Sequence, residues 1–173
     1  MKVLIETERL VIRSFKDSDY KKVYEACNDP ELAKMTLGIP IPYTKQNAKD
    51  WIAKVKDVYE CAICFKDNLN CVIGCVSLVN LSERAQRGEL GYWINQKYWG
   101  QGIATEAAKA MIKYGFETLN LNSIIARHFQ HNPASGRVMQ KCGMKYAGIL
   151  REHERRFDTF YNVVYYDILK SEI

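Results

Sequence analysis

Trp99-Gly100-Gln101-Gly102-Ile103-Ala104-Thr105-Glu106 is the stretch on which the reading of this chain turns. Before it lies an apolar run, Gly88 to Ile94; after it Ala104, Ala108, Met111, Ile112 and Gly115 recur at helical spacing. A strand therefore feeds a helix through a loop with two glycines. The glycines let the backbone turn tightly and leave its N–H groups unshielded. The first N–H groups of a helix have no intrahelical partner, and the helix dipole favours negative charge there. Such a loop can cradle a diphosphate. Taken alone, it fits an ordinary glycine turn at a helix start equally well. No Lys-Ser/Thr pair follows, as a P-loop needs, and the spacing does not meet the dinucleotide fingerprint.

Upstream, Lys2 to Arg13 reads as one strand. Asp17 or Ser18 then caps a helix with Tyr20, Val23, Tyr24 and Cys27 on one face, and Asn28-Asp29-Pro30 ends it. Gly38-Ile39-Pro40-Ile41-Pro42 reads as a loop bordering a site, and Thr44 caps a second helix with Ala48, Trp51, Ile52 and Val55 inward. Strands follow at about Cys61 to Lys66 and Cys71 to Leu81, joined by Asp67 to Asn70. Downstream come a strand at Ser123 to Phe129, a helix at about Pro133 to Cys142, and strands at about Met144 to His153 and Thr159 to Leu169. This order predicts one α/β (α+β) domain over residues 1–173. Its sheet is mixed, mostly antiparallel, of about seven strands flanked by helices, without regular βαβ alternation.

Composition sets outer limits. A chain of 173 residues, 47% hydrophobic and 26% charged, can enclose a core as one domain. Glu6, Glu8 and Arg9 interrupt the N-terminus, and no apolar run approaches a membrane span, so a soluble, cytoplasmic protein is expected. The net charge of +5 is modest, and the densest basic cluster, Arg151 to Arg156, is interleaved with Glu152 and Glu154, which argues against a nucleic-acid partner. Cys61, Cys64, Cys71 and Cys75 have the look of a zinc site, but in a strand an offset of three turns Cys61 and Cys64 to opposite faces. Reduced thiols and no metal are expected.

A second patch stands 30 positions beyond Gly102, running from His131 to Met144. Asn132 suits a cap, Pro133 a first helical turn, and Gly143 the position just past a helix. With Glu89-Leu90-Gly91-Tyr92-Trp93-Ile94, the glycine loop, and Asn132-Pro133-Ala134-Ser135 through Gly143-Met144, the chain resembles the GNAT superfamily of N-acetyltransferases. Thr7-Glu8-Arg9-Leu10 and Gly148-Ile149-Leu150-Arg151-Glu152 extend the resemblance to its RimJ/RimL-like branch, which acetylates ribosomal-protein N-termini, over nearly the whole length.

The resemblance implies acetyl-CoA as cosubstrate. Its pantetheine arm would pair with the backbone of Tyr92, Trp93 and Ile94, and Gly91 would carry the bulge that splays the strand. The diphosphate would lie on Gly100, Gln101, Gly102, Ile103, Ala104 and Thr105, with Trp99 standing where the superfamily usually has Gln or Arg. Asn132 would touch the arm, and Ser135 would lie near the sulfur. Transfer requires a proton acceptor for the amine, and Glu89 is the candidate. It also requires a hydrogen-bond donor for the thiolate. Many superfamily members supply a tyrosine where this chain has Met139, so Ser135 is the candidate. His128, His131 and His153 match no catalytic position; Trp51, Tyr43 and the Pro40/Pro42 loop are candidates for lining the acceptor groove. The expected reaction is direct transfer to a primary amine on a protein N-terminus. The alternatives are a small amine (polyamine, aminoglycoside or amino acid) and a non-catalytic acyl-CoA-binding module. Either a monomer or a homodimer fits.

Overall fold

The computed structural model describes residues 3–55 and 59–173. The N-terminal run expected as one strand is a hairpin of β1 (Val3–Glu6) and β2 (Leu10–Arg13). Thr7 makes the turn: its amide donates to the Leu10 carbonyl at 2.9 Å, and its Oγ1 accepts the Leu10 amide at 2.9 Å. Asp17 and Ser18 sit in a 3-10 turn before α1 (Tyr20–Cys27), and the residue at the cap is Asp19. Its carboxylate makes no cap bond to α1, and accepts the Lys16 amide of the preceding turn at 2.8 Å. It also turns to the buried Arg13, accepting Nη1 at 2.7 Å and Nη2 at 3.0 Å.

Asn28-Asp29-Pro30 both stops α1 and starts a further short helix, α2 (Pro30–Lys34), where Asp29 Oδ1 accepts the Glu31 amide at 2.9 Å. Thr44 caps α3 (Lys45–Val55) as expected, with the Asn47 amide donating to its Oγ1 at 3.1 Å. The β3 (Glu60–Phe65) to β4 (Asn68–Ser82) turn is only Lys66-Asp67, shorter and earlier than expected, because bulges around Cys64 bring the strands together sooner. There follow β5 (Arg87–Ile94), α4 (Ile103–Glu117), β6 (Ser123–Phe129), α5 (Pro133–Lys141), β7 (Lys145–Arg156) and β8 (Thr159–Leu169).

The strands form one mixed sheet of eight in the order β1-β2-β3-β4-β5-β6-β8-β7. Every neighbouring pair is antiparallel except β5–β6. Strand alternation gives the sheet two apolar faces. One packs Ile63, Leu78, Leu90 and Ile124 against Met111 and Phe116 of α4. The other packs Ala62, Cys64 and Cys75 against Val23 of α1 and Ile52 of α3. Cys61 belongs to the first and Cys64 to the second, the opposition read from the sequence. Burial pushes the Cys61 thiol up to about 12 and the Cys64 thiol up to about 11. No group of His, Cys, Asp or Glu among the described residues is arranged to hold a metal ion, and no described helix is long and apolar enough to cross a membrane.

Candidate active site

The site begins where β5 leaves β6. The two run parallel from Arg87↔Ser123 to Leu90↔Ala126, while β5 stays with β4 as far as Ile94↔Gly74. Past Leu90 the sheet therefore opens into a notch. No bulge at Gly91 causes it: the β4–β5 register is continuous there and shifts only between Val79 and Ser82. Gly91 answers to close approach instead, since a Cβ on it would lie 2.8 Å from Ser77 Oγ.

Alternation decides which amides face the notch. The Asn95 amide donates to the Ile73 carbonyl at 2.9 Å, so the same antiparallel register spends the peptide groups of Trp93, Gly91 and Glu89 on β4. Tyr92 and Ile94 turn theirs toward the notch. Trp93 instead sends its side chain to the α3 face, where its ring lies 6.2 Å from that of Trp51. Trp99 donates its indole N–H to the Ile94 carbonyl at 2.7 Å, which ties the glycine loop to the end of β5.

Below the notch, Gly100 (φ +75) and Gly102 (φ +77) hold the left-handed conformation that favours glycine. The Glu106 amide bonds back to the Gly102 carbonyl at 3.0 Å. The amides of Ile103, Ala104 and Thr105 precede that first turn and remain for a ligand. The loop is braced from the N-terminal hairpin, a link that the sequence reading missed. Arg9 donates from Nη1 to the Gln101 carbonyl at 3.1 Å and from Nε to Glu106 Oε2 at 2.7 Å. Thr7 Oγ1 and the Arg9 amide reach Glu106 Oε1 at 2.6 and 2.9 Å. Burial raises the Glu106 carboxyl, but these bonds outweigh it, and its pKa falls below the ordinary value. The signal was present in Thr7-Glu8-Arg9, although nothing in that block says what it touches.

On the α4/α5 face, Asn132 caps α5, its Oδ1 accepting the Ser135 amide at 3.3 Å while its Nδ2 donates to the Met35 carbonyl at 3.3 Å. Ser135 Oγ lies 2.8 Å from the hydroxyl of Tyr92. Met139 is buried in the core. Glu89 lies on the other face, with Trp93. Its Oε1 accepts Arg127 Nε at 2.7 Å and its Oε2 accepts Asn80 Nδ2 at 2.9 Å; Arg87 is not its partner. Arg127 also pairs with Glu154, and although burial opposes it, the two carboxylates raise its pKa further. Glu89 is thereby held in one orientation beside a permanent cation.

A cavity of about 1030 Å³ joins these parts, and Pro40, Tyr43, Trp51, Asp50 and Glu60 also line it. Glu60 was not singled out from the sequence. It stands opposite Ser77, which stands opposite Gly91, so it shares the Glu89 face, and burial raises its pKa. Of the histidines, His128 and His131 also line the cavity, and none bonds Glu89. His128 is buried under α5 and donates Nδ1–H to the Phe129 carbonyl at 2.7 Å; burial lowers its pKa. A Cβ on Gly136 would lie 2.8 Å from its Nε2. His131 meets the Lys34 carbonyl through Nε2 at 3.2 Å, and His153 stacks edge-on to Tyr165.

Similarity to known proteins bears on the whole chain. Residues 9–145 match the acetyltransferase (GNAT) domain family. The chain is 33% identical over 172 residues to the uncharacterized N-acetyltransferase YnaD of Bacillus subtilis, covering 97% of this chain and 98% of that one. It is 28% identical over 102 residues to the ribosomal-protein-serine acetyltransferase of Escherichia coli, covering 58% and 57% respectively. The structure of a GNAT-family acetyltransferase from Bacillus anthracis superposes with a TM-score of 0.89 at 29% identity, covering 99% of this chain and 100% of that one. With the family's domain spanning both the glycine loop and the parted strands, this chain belongs to the GNAT acetyltransferases and is an acetyl-CoA-dependent enzyme.

Proposed function

We propose that the chain transfers acetyl from acetyl-CoA directly to the α-amine of a protein N-terminus, with both substrates bound at once. One observation supports the transfer: β5 turns the peptide groups of Tyr92 and Ile94 toward the β5–β6 notch, with the glycine loop below, Glu89 on one face and Ser135 on the other. The arm of acetyl-CoA can enter as an extra strand from the α4/α5 side, and the amine from the Glu89 side. The acceptor class rests on the resemblance and on the E. coli relative's name.

Glu89 is the proton acceptor, acting directly or through water. Arg127 and Asn80 hold it aimed, in place to draw off the proton that blocks attack by the ammonium form. A notch amide is the donor available to the thioester oxygen as charge develops on it. Ser135 donates to the departing sulfur. Direct transfer is supported by Cys142, the cysteine nearest the loop: burial pushes its thiol up to about 11, which leaves little nucleophilic thiolate.

A second reading has a specific observation behind it. Glu60, Asp50 and Glu89 line the acceptor side, which suits a small amine with more than one positive charge. The test measures free-CoA release against N-terminal peptides of ribosomal proteins, polyamines and aminoglycosides, with Glu89→Gln alongside. Turnover on the peptides, reduced about 100-fold or more by the variant, is expected. Turnover on polyamines alone would replace the peptide reading with the second, and an unimpaired variant would remove Glu89 from the chemistry.

A further inference from the structure

Tyr92 enters the argument so far only through its backbone, yet its side chain lies beside the leaving-group end of the notch. Strand alternation places it on the face turned to α4 and α5, opposite Glu89. Its Oη is 3.0 Å from the Ser135 carbonyl and 2.8 Å from Ser135 Oγ. A phenol has one proton to give, so these heavy-atom positions serve two arrangements. In the first, Tyr92 donates to the carbonyl and the serine hydroxyl donates to Tyr92. In the second, Tyr92 donates to Ser135 Oγ and the serine proton is free to face another acceptor. Passing from one to the other takes only rotation of two hydroxyl hydrogens.

The surroundings favour Tyr92 as a lasting donor. Burial pushes its phenol above the ordinary value, although the Ser135 bond opposes this, so it stays protonated through the neutral range. Met139, where related enzymes carry a tyrosine, offers a thioether inside the core and no hydroxyl. A serine side chain left to itself divides its time among staggered rotamers. A phenol bound to its oxygen restricts that choice.

We propose that Tyr92 is the positioning residue for the departing thiolate, its phenol holding Ser135 Oγ so that the serine hydroxyl donates to the sulfur of coenzyme A. The proposal rests on Ser135 being the thiolate donor. In the step it serves, the bond from the amine nitrogen to the acetyl carbon forms and the carbon–sulfur bond breaks, its electron pair remaining on sulfur. The amine's proton leaves on the Glu89 side. Ser135 and Tyr92 donate hydrogen bonds and keep their own protons; the thiolate takes a proton from solvent as coenzyme A departs.

Coenzyme A itself reports this without any acceptor, because a thiolate absorbs in the ultraviolet where a thiol does not. The bound thiol is titrated in the wild type, Tyr92→Phe, Ser135→Ala and the double variant, with the desulfo-coenzyme A complex as blank. Each single variant is expected to raise the bound thiol's pKa by about one unit, about a tenfold loss of thiolate stabilisation. The double variant should rise no further than Ser135→Ala, and desulfo-coenzyme A affinity should be unchanged in Tyr92→Phe. A raised value in Ser135→Ala with a wild-type value in Tyr92→Phe would overturn the role of Tyr92 and leave that of Ser135. Wild-type values in both would overturn both roles. Additive rises would mean that Tyr92 meets the sulfur itself, which overturns positioning. If Tyr92→Phe does not fold, 3-fluorotyrosine at position 92 keeps the ring and strengthens the donor. The pKa should then fall, and an unchanged value would contradict the proposal.

Discussion

Among single residues, Glu89 shows what the sequence could and could not say. Its place ahead of Gly91-Tyr92 marked it as a base; its partners, 38 and nine positions away, appear only when β5 lies between β4 and β6. Because Arg127 fixes that carboxylate, Arg127→Met should lower kcat more than it raises KM for acetyl-CoA, which steady-state kinetics will separate. The Arg13–Asp19 pair was equally hidden, since the two meet only through the turn after β2. Arg13 is fully buried and also donates to the Leu69 carbonyl at 2.9 and 3.1 Å. Asp19→Asn should therefore cost about 3–5 kcal/mol in a denaturant titration. A loss below about 1 kcal/mol would be what an exposed pair gives.

At the level of elements, β6 and β8 were legible because β-branched and aromatic residues crowd the runs from Ser123 to Phe129 and from Thr159 to Leu169. α2 was not, since five residues are too few to show a helical period. The glycine loop was read correctly as a turn into a helix, while its brace was invisible. Thr7 and Arg9 lie far along the chain from Glu106 and converge on its carboxylate. Glu106 has a folded pKa below its ordinary value, so its contribution to stability is present above the ordinary carboxylate range and is lost as pH falls through the folded pKa. Glu106→Gln should flatten that acid limb in thermal melts and weaken acetyl-CoA binding; an acid limb identical to wild type would remove the brace. Gly102→Ala forces a Cβ into the left-handed region at a strain of about 1–2 kcal/mol. Calorimetry should show a loss of acetyl-CoA affinity of about tenfold with the fold retained.

For the molecule as a whole, one mixed sheet separates two tasks. The α4/α5 side presents the glycine loop and Ser135, the α1/α3 side presents Glu89 and Glu60, and one cavity runs past both where β5 and β6 part. The fold class and most of the chain's helices and strands could be read in advance because they follow from local periodicity. The acceptor could not: Pro40, Tyr43, Trp51 and Glu60 come from separate elements, and their common surface exists only after packing. On the proposed reading each substrate reaches the notch by its own face, which is the reason to expect direct transfer. Initial velocities measured with acetyl-CoA and a turned-over amine both varied test it most directly. Reciprocal plots that intersect, with no acetyl group on the protein after incubation with acetyl-CoA alone, are the predicted result. Parallel plots with acetyl trapped on Cys142 would contradict the account.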